Sequence, residues 1–333
     1  MKSKTRCILI IIAAVIVLLA AAAVIAAFGG RHTISKDCIV DGNTDPVSHD
    51  GKVYTYNHDL INILCMGVDN NRPLSEDAPL KERGKTDALY LLSINKKTKE
   101  VNVVHIPRET MVPVQLYYDE EPKGMQTLQI TLQYAYGRDK EEGSLLTSKA
   151  TSALLKNIPI QRYCVVNFNA IPALNDAVGG VEVTMADHVD KELQKLSPDF
   201  RPGNTVLLKG EQSFNYLRFR DISEETSSEE RAQRQKVYIK AFEKAMKKAV
   251  KSDFKLPYNL YKIMQDNMST DIGKIEILYL TTLIKDAEFA DGVISLPGEM
   301  VKGERFQEYY VSDEELEKMI IDTFYCQVDE SRY

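Results

Sequence analysis

An uninterrupted apolar segment near the N-terminus constrains this chain more than any other feature. Residues 8–28 are all Ile, Leu, Val, Ala or Phe. As an α-helix that rises ~1.5 Å per residue, a segment of this length covers about 31 Å, which matches the ~30 Å hydrocarbon core of a bilayer. Lys2, Lys4 and Arg6 precede the segment and should remain in the cytoplasm. The sequence therefore predicts one transmembrane helix, with the rest of the chain outside the cell.

A cleaved signal peptide is the alternative interpretation. Residues 20–27 are rich in alanine and precede Gly29 and Gly30, so small residues suited to cleavage are present. The apolar part of a signal peptide is usually only ~7–15 residues long, which favours an uncleaved anchor. We therefore predict a single-pass protein of the cell membrane. Its parts are a cytoplasmic tail (1–7), a transmembrane helix (8–28), an extracellular stalk (29–59) and an extracellular folded domain (60–333).

The net charge of −6 conceals an uneven distribution of charge along the chain. The first 31 residues contain four basic and no acidic residues, which leaves 38 basic against 48 acidic residues in the remainder. A body that acidic is poorly suited to nonspecific nucleic-acid binding, which requires a surface that neutralises phosphates. The charge distribution therefore predicts no nucleic-acid partner and disfavours a role as a transcriptional attenuator.

Strand-like and helix-like patterns alternate after the stalk, which predicts one layered α/β domain. Two of the strands are separated by a short polar turn and predict a hairpin. The principal predicted strands lie at residues 52–56, 61–67, 88–95, 101–106, 163–168, 181–183 and 293–296. The principal predicted helices lie at 128–136, 145–157, 170–178, 210–217, 228–252, 259–267, 274–286 and 313–324.

Two aspartates stand at the ends of predicted strands. Asp69 follows the strand that ends at Gly67, and Asp87 immediately precedes the strand that begins at Ala88. Taken singly, each is better explained as a structural residue that caps a turn or enters a strand. Ligand groups are nevertheless common at the ends of strands in α/β sheets. Together the two carboxylates could hold a hard cation such as Mg²⁺.

Arg108 lies at the tip of a predicted strand that Pro107 ends. A guanidinium fixed at such a tip presents a planar fork suited to a phosphate group. An exposed ion pair with Glu109 is the structural alternative. His105 precedes this tip, but on a strand it is better explained as a core residue than as a base. The sequence contains no convincing Ser-His-Asp or Cys-His arrangement, no P-loop and no CxxC pair.

Two further pairs of residues are suited to binding an anion. Arg218 and Arg220 share one face if the chain is extended there, and they diverge by about 200° if a helix continues. Arg231 and Gln235 are four residues apart in the first turns of a predicted helix, whose N-terminus favours anions. The structural alternative for this second pair is a solvated helix face, which is the interpretation we adopt for the lysines further along the same helix.

In this order the motifs resemble the LytR-CpsA-Psr family of cell-wall enzymes. The resemblance covers roughly residues 60–250 and agrees with a single N-terminal anchor. The motifs that carry it are Asn62-Ile63-Leu64, Gly67-Val68-Asp69, Thr86-Asp87, Ser93-Ile94-Asn95, Ile106-Pro107-Arg108, Tyr134-Ala135-Tyr136-Gly137, Gly179-Gly180-Val181-Glu182-Val183, Leu208-Lys209-Gly210-Glu211-Gln212, Tyr216-Leu217-Arg218-Phe219-Arg220 and Arg231-Ala232-Gln233-Arg234-Gln235.

The resemblance implies a three-layer α/β/α domain with a mixed central sheet and an apolar pocket for a lipid tail. It implies a membrane-anchored phosphotransferase that moves a glycopolymer, such as teichoic acid or capsular polysaccharide, from a polyprenyl-pyrophosphate carrier to peptidoglycan. Asp69 and Asp87 would hold Mg²⁺ or Mn²⁺, and with Arg108 they would be the catalytic residues. The residues that would bind the pyrophosphate are Lys85, Arg108, Arg218, Arg220, Arg231 and Gln235.

Two residues and one short segment depart from the family pattern. Lys85 stands where members usually have Arg, and Glu109 stands where they usually have Asp. The segment 129–132 also lacks the Lys-Ile-Asn-Ala-like sequence that is expected there. Lysine keeps the charge but loses the bidentate fork, and glutamate is one methylene longer than aspartate. The departures at Lys85 and Glu109 favour, as a second hypothesis, a wall-associated module that binds polyprenyl phosphates without catalysis.

Overall fold

The fold is that of a computed structural model. It describes residues 34, 37–70, 73–74, 83–118, 121–187, 189–219, 227–253, 256–285, 288–289 and 293–328. The predicted transmembrane helix at 8–28 lies outside the described residues. Within the described ranges, no helix is long and apolar enough to cross a membrane.

Sixteen strands and eight α-helices make up the described part of the chain. The strands are β1 (Val47–His49), β2 (Lys52–Tyr56), β3 (Leu60–Val68), β4 (Thr86–Asn95), β5 (Glu100–Ile106), β6 (Met111–Tyr118), β7 (Glu121–Gln129), β8 (Arg162–Asn167), β9 (Val181–Thr184), β10 (Thr205–Leu208), β11 (Met268–Thr270), β12 (Glu288–Phe289), β13 (Ile294–Ser295), β14 (Gly298–Lys302), β15 (Gln307–Val311) and β16 (Tyr325–Gln327). The helices are α1 (Lys140–Leu154), α2 (Ala170–Ala177), α3 (Lys191–Leu196), α4 (Glu211–Arg218), α5 (Ser227–Ser252), α6 (Leu256–Met264), α7 (Lys274–Lys285) and α8 (Asp313–Phe324).

A seven-stranded sheet in the order β11-β8-β3-β4-β5-β12, with β13 also paired to β5, forms the centre of the molecule. Strand β3 runs parallel to β8 and antiparallel to β4, and β5 is antiparallel to β4 but parallel to β12 and β13. The sheet is therefore mixed, as the family resemblance implies. The antiparallel pairing of β4 with β5 confirms the predicted hairpin.

Successive side chains of the central strands enter two separate apolar clusters. In β3, which is buried along its whole length, Ile63 and Cys65 belong to one cluster, and Leu64 and Met66 belong to the other. This alternation follows from the two-residue period of a strand. Residues of α2 to α7 pack in the first cluster, whereas residues of α1, α8 and β6 pack in the second. The central sheet consequently has helices on both faces.

Asp87 occupies a β-bulge at the start of β4. The register pairs Gly67 with Ala88 and Val68 with Thr86, so that Asp87 is the extra residue on its strand. Bulges bend a strand and redirect a side chain, and they are common beside functional sites. The strand pattern in the sequence locates β4 but does not reveal this irregularity.

The predicted helix at 128–136 is wrong. Strand β7 continues to Gln129, and only a 3₁₀ turn, Ile130–Leu132, follows it. The backbone N–H groups of Ile130 and Thr131 donate to the carbonyl oxygens of Thr110 and Arg108, at 2.8 and 3.2 Å. Because Leu128 and Gln129 pair with Val112 and Met111 in the ladder of β6 and β7, an α-helix cannot begin at residue 128.

Part of the predicted stalk folds against the body of the domain. Strand β2 pairs on one side with β1 and on the other with β16, near the end of the described chain. Upstream of these strands, Val40 forms an isolated bridge with Ile160. Backbone pairing therefore connects residues 40–56 to the body.

Candidate functional site

The termini of four strands, three of which adjoin predicted site residues, meet at one end of the central sheet. Strand β3 ends at Val68, immediately before Asp69, and the parallel strand β8 ends beside it at Asn167. Because β4 is antiparallel to β3, it starts at this end with Thr86, while β5 finishes here and leads into Arg108. Strand order and direction thus bring the predicted residues of three segments to one edge. We call these residues the sheet-end group: Asp69, Lys85, Asp87, Arg108 and Glu109.

Arg108 is held between two carboxylates. Its Nη1 donates to Oδ1 of Asp87, and its Nε donates to Oε1 of Glu109 at 3.1 Å. The side chain of Asp87 is 3% exposed, whereas that of Arg108 is 32% exposed. Burial alone would lower the pKa of the Arg108 guanidinium, but attraction from Asp87 and Glu109 outweighs it and raises that pKa. Arg108 is therefore a fixed cation with part of its surface open to a ligand.

Glu109 is more than a surface partner of Arg108. Its side chain is 10% exposed, and Oε2 is buried with no hydrogen-bond partner among the described residues. Its carbonyl oxygen accepts from the backbone N–H of Tyr309 at 2.9 Å, which ties the segment to β15. The hydroxyl of Tyr309 in turn donates to the carbonyl oxygen of Leu296 at 2.6 Å. The Arg108–Glu109 ion pair considered from the sequence is therefore present, but the prediction that it is exposed is wrong for Glu109, whose side chain is buried.

The 3₁₀ turn that replaces the predicted helix supports both strands of the site. Thr131 N–H donates to the carbonyl oxygen of Arg108, and the hydroxyl of Thr86 donates to the carbonyl oxygen of Thr131 at 3.3 Å. Thr131 itself is buried. The same residue therefore connects the segments that carry Asp87 and Arg108, and stabilises their relative position.

Asp69 and Lys85 lie at the solvent-facing side of the same group. The backbone N–H of Asp69 donates to the carbonyl oxygen of Lys85 at 3.0 Å, so the two backbones are neighbours. Both side chains are exposed. An exposed carboxylate and an exposed ammonium at this position are accessible to a charged ligand.

The remaining predicted residues form a second group on two helices. Arg218 is the last residue of α4, and its guanidinium lies over the ring of Phe214, 5.3 Å from the ring centre. The helix ends there, because Phe219 is extended. Arg231 and Gln235 lie in the first half of α5, where the structure describes their backbone but not their side chains. Arg220 lies outside the described residues.

Arg234 is a residue of this second group that the sequence did not single out. Its Nε donates to the carbonyl oxygen of Tyr216 at 3.1 Å, and its Nη2 donates to that of Phe219 at 2.6 Å. It therefore connects α5 to the end of α4. The sequence places it in the Arg231–Gln235 motif, but one-dimensional spacing does not distinguish an arginine that binds protein carbonyls from one that faces a ligand.

The two predicted metal ligands, Asp69 and Asp87, suit a metal site only if the substrate supplies further ligands to the ion. Among the described residues, no three His, Cys, Asp or Glu side chains are grouped so as to hold a metal ion. Asp69 and Asp87 flank the paired residues Val68 and Thr86, and both offer carboxylate oxygens. Mg²⁺ is commonly bound by one or two carboxylates together with substrate phosphates and water. The donor chemistry thus suits Mg²⁺ held jointly with a phosphorylated ligand.

Buried reactive groups elsewhere are structural. His105 is buried on β5 with its ring 4.8 Å from that of Tyr90, in agreement with the predicted core position. Cys65 and Cys164 are buried free thiols, and burial raises the pKa of Cys65 to about 12. A thiol with such a high pKa is rarely ionised and is therefore a poor nucleophile.

The sequence profile of the LytR_cpsA_psr family matches residues 31–323. That span contains both groups of candidate residues and the whole central sheet. The chain belongs to the LytR_cpsA_psr family. Membership agrees with the mixed sheet and with the order of the motifs from Asp69 to Gln235.

Two curated relatives illustrate the similarity within the family. The chain is 31% identical over 160 residues to "Polyisoprenyl-teichoic acid--peptidoglycan teichoic acid transferase TagU" of Bacillus cereus, an alignment that covers 48% of this chain and 44% of the relative. It is 25% identical over 246 residues to "Biofilm regulatory protein A" of Streptococcus mutans, with 73% and 56% covered. The chain thus aligns with only about half of the length of these relatives.

Solved structures show the same fold at lower identity. The structure titled "TagT bound to LIIa-WTA" has 23% identity and a TM-score of 0.54, and covers 79% of this chain and 89% of its own. Protein gbs0355 from Streptococcus agalactiae has 21% identity and a TM-score of 0.57, with 79% and 87% covered. "LytR-CPS2A-psr family protein YwtF (TagT) with bound octaprenyl pyrophosphate lipid" has 20% identity and a TM-score of 0.52, with 85% and 94% covered.

Proposed function

We propose that this protein transfers a glycopolymer of the teichoic-acid or capsular-polysaccharide type from a polyprenyl-pyrophosphate carrier to peptidoglycan. The observation that carries the proposal is Arg108, held between buried carboxylates at the end of the sheet and still one-third exposed. The names of two similar proteins support the substrate class, since one is a teichoic acid transferase and another binds octaprenyl pyrophosphate.

The chemistry of the sheet-end group suits phosphoryl transfer. This reaction requires positioning and stabilisation of charge on phosphoryl oxygens more than covalent help from the protein. Arg108 is oriented by Asp87 and Glu109, so its remaining donors are aimed before the ligand arrives. Lys85, Arg218, Arg220, Arg231 and Gln235 add cations and a polar group for the other pyrophosphate oxygens.

The reaction is a displacement at phosphorus. A sugar hydroxyl of peptidoglycan attacks the phosphorus that carries the glycopolymer, a new P–O bond forms, and the bond to the polyprenyl phosphate breaks. The polyprenyl phosphate leaves with the negative charge, which the arginines stabilise. The hydroxyl proton passes to a carboxylate of the sheet-end group or to water.

Asp69 and Asp87 are the residues that would hold Mg²⁺ or Mn²⁺. When bound, such an ion neutralises charge on the pyrophosphate oxygens. Asp87 also fixes Arg108, so it has a task in positioning as well as in metal binding.

The proposed location is the outer face of the cell membrane. A transmembrane helix at 8–28 with a cytoplasmic N-terminus keeps the domain beside a donor that is itself held in the lipid bilayer. Confinement to one membrane raises the effective concentration of the donor.

A reconstituted transfer assay tests the proposal. The full chain in detergent is incubated with lipid-linked glycan, peptidoglycan and Mg²⁺, and glycan bound to peptidoglycan is measured. Transfer is expected with the wild type and with Arg138→Ala, a change to an exposed arginine paired with Glu142. Arg108→Ala should abolish it. Absence of transfer by the wild type, or full activity of Arg108→Ala, would contradict the proposal.

The alternative of a binding module has its own signature in the same assay. It is motivated by Lys85 and Glu109, which replace the usual Arg and Asp. If the lipid pyrophosphate binds but no transfer occurs even after Lys85→Arg and Glu109→Asp, the module hypothesis replaces the transferase.

A further inference from the structure

Helix α4 ends at an exposed arginine, Arg218, whose own backbone lies in the last helical turn. The last four carbonyl groups of any α-helix lack partners within the helix. In α4 the final backbone bond is from Phe219 N–H to the carbonyl oxygen of Asn215, at 3.0 Å. Phe219 then turns to an extended conformation (φ −50°, ψ 133°). Without further contacts, the residues around Arg218 would fray.

Arg234 supplies those contacts from helix α5. One guanidinium bonds a carbonyl oxygen on each side of Arg218, namely those of Tyr216 and Phe219. The same guanidinium lies over the ring of Phe219, 5.7 Å from the ring centre. Two hydrogen bonds thus fix the backbone before and after Arg218, and the ring contact adds a third link between Arg234 and Phe219.

The surroundings of Arg234 agree with an internal role. The residue is only partly exposed, and burial lowers the pKa of its guanidinium. Tyr216 is buried in the same apolar cluster as Ala88 and Tyr90 of β4. The clamped helix end is therefore anchored in the apolar cluster on that face of the central sheet.

Arg218 itself remains available to a ligand. Its side chain is exposed, and its guanidinium lies on the ring of Phe214 one helical turn earlier. A cation stacked on an aromatic ring keeps its in-plane N–H donors free for an anion. Its position depends on the helix end that Arg234 fixes.

We propose that Arg234 is a positioning residue of the pyrophosphate site: by clamping the carbonyl oxygens of Tyr216 and Phe219, it places Arg218 for binding of the pyrophosphate. The inference rests on the proposed function, in which Arg218 contacts the pyrophosphate. Arg234 does not touch the ligand in this arrangement and acts through Arg218.

A double-mutant cycle in ligand binding tests the inference. The affinity of octaprenyl pyrophosphate for the full chain in detergent is measured for wild type, Arg234→Met, Arg218→Ala and the double variant. Arg234→Met is expected to weaken binding about tenfold in the wild-type background, because charged hydrogen bonds are lost. In the Arg218→Ala background it should have almost no further effect.

Two other variants separate positioning from folding. Arg234→Lys keeps the charge and much of the volume but loses the fork, so it should weaken binding as Arg234→Met does while the protein stays folded. Arg138→Met removes another arginine stacked on a ring, at 5.4 Å from the centre of Tyr117, and should leave the affinity unchanged. In transfer assays the loss for Arg234→Lys should fall mainly on KM for the donor.

The outcomes are distinguishable. Equal losses from Arg234→Met with and without Arg218 would overturn the inference, as would wild-type affinity in Arg234→Lys. If the wild type itself does not bind octaprenyl pyrophosphate, the proposed function fails and the inference fails with it. If the wild type binds and Arg218→Ala weakens binding but Arg234→Lys does not, the inference alone fails.

Discussion

Two arginine–carboxylate clusters lie at opposite ends of the central sheet. They differ in how much of the arginine side chain is exposed to solvent. At the start of β8, Arg162 directs Nε to Glu276 Oε2 at 2.8 Å and Nη2 to Glu276 Oε1. Its Nη1 donates to the carbonyl oxygens of Asp37 and Gln161. The Arg162 side chain is 9% exposed, against 32% for Arg108 at the other end.

The difference distinguishes a structural arginine from one prepared for a ligand. All three nitrogens of Arg162 are occupied by protein, and one of the partners is the backbone of the N-terminal segment at Asp37. Arg108 is oriented on two edges by Asp87 and Glu109 and keeps exposed surface. Substitution of Arg108 should therefore impair function, whereas substitution of Arg162 should affect only stability.

The largest expected effect is on transfer by Arg108→Met. Arginines that stabilise phosphoryl-transfer charge contribute about 10³–10⁵-fold to the rate, and a loss in that range is expected here. The variant should also lose some stability, because Asp87 and Glu109 stay buried without the arginine that pairs with them, so transfer is measured below its melting temperature. Initial rates of glycan transfer together with a thermal melt measure both quantities. A variant that melts far below the wild type but transfers normally would reverse the comparison.

Arg162→Met should lose stability without losing transfer. Removing one partner of a buried pair leaves Glu276 buried and uncompensated, which costs about 3–5 kcal/mol of stability. Transfer at a temperature where the variant is folded should stay near the wild-type rate. Denaturant unfolding curves test the first expectation. A melting profile like that of the wild type would show that this cluster is dispensable.

The pH dependence of stability sharpens the comparison at the Arg162 end. Asp271, which accepts from the backbone N–H of Tyr163 at 2.7 Å, has a pKa that burial raises to about 6. The native state therefore keeps this proton between about pH 4 and pH 6, where the unfolded chain has lost it. The stability that this group contributes is present below that window and is lost as pH rises through it.

Asp271→Asn removes this titration and keeps an oxygen to accept from Tyr163. Relative to the wild type, the variant should gain roughly 2–3 kcal/mol of unfolding free energy between pH 4 and pH 7. Unfolding free energies at several pH values measure the gain. Asp266→Asn, a change to an exposed aspartate nearby, should follow the wild-type curve. A constant difference between Asp271→Asn and the wild type would show that Asp271 does not titrate in this window.

The smallest expected effect concerns Lys85→Arg at the sheet-end group. The exposed ammonium is replaced by a fork that binds phosphate in bidentate fashion, so affinity for octaprenyl pyrophosphate should rise by roughly threefold. Lys97→Arg, at an exposed lysine paired with Asp59 at 2.7 Å, is the matched control and should not change it. Weaker binding by Lys85→Arg would indicate that the site has adapted to lysine.

Much of the central fold was predictable from local pattern. The β4–β5 hairpin and helix α8 at Asp313–Phe324 follow from alternation and from helical periodicity, which are properties of neighbouring residues. The bulge at Asp87 and the 3₁₀ turn at Ile130–Leu132 were not predictable, because contacts distant in sequence decide them.

The candidate site was predictable in part for the same reason. Asp69, Asp87 and Arg108 stand at strand ends, and the order of the strands brings them to one edge. The burial of Glu109 depends on β15, which lies far along the chain. The carbonyl contacts of Arg234 depend on α4, which is a separate element. No spacing within either motif carries that information.

The measurement that tests the central claim most directly is the affinity of octaprenyl pyrophosphate for three proteins under one set of conditions. These are the wild type, Arg108→Met and Arg162→Met, each as the full chain in detergent and below its melting temperature. The account predicts that Arg108→Met binds at least about tenfold more weakly, whereas Arg162→Met binds like the wild type. Equal affinities for the wild type and Arg108→Met, or a loss confined to Arg162→Met, would contradict it.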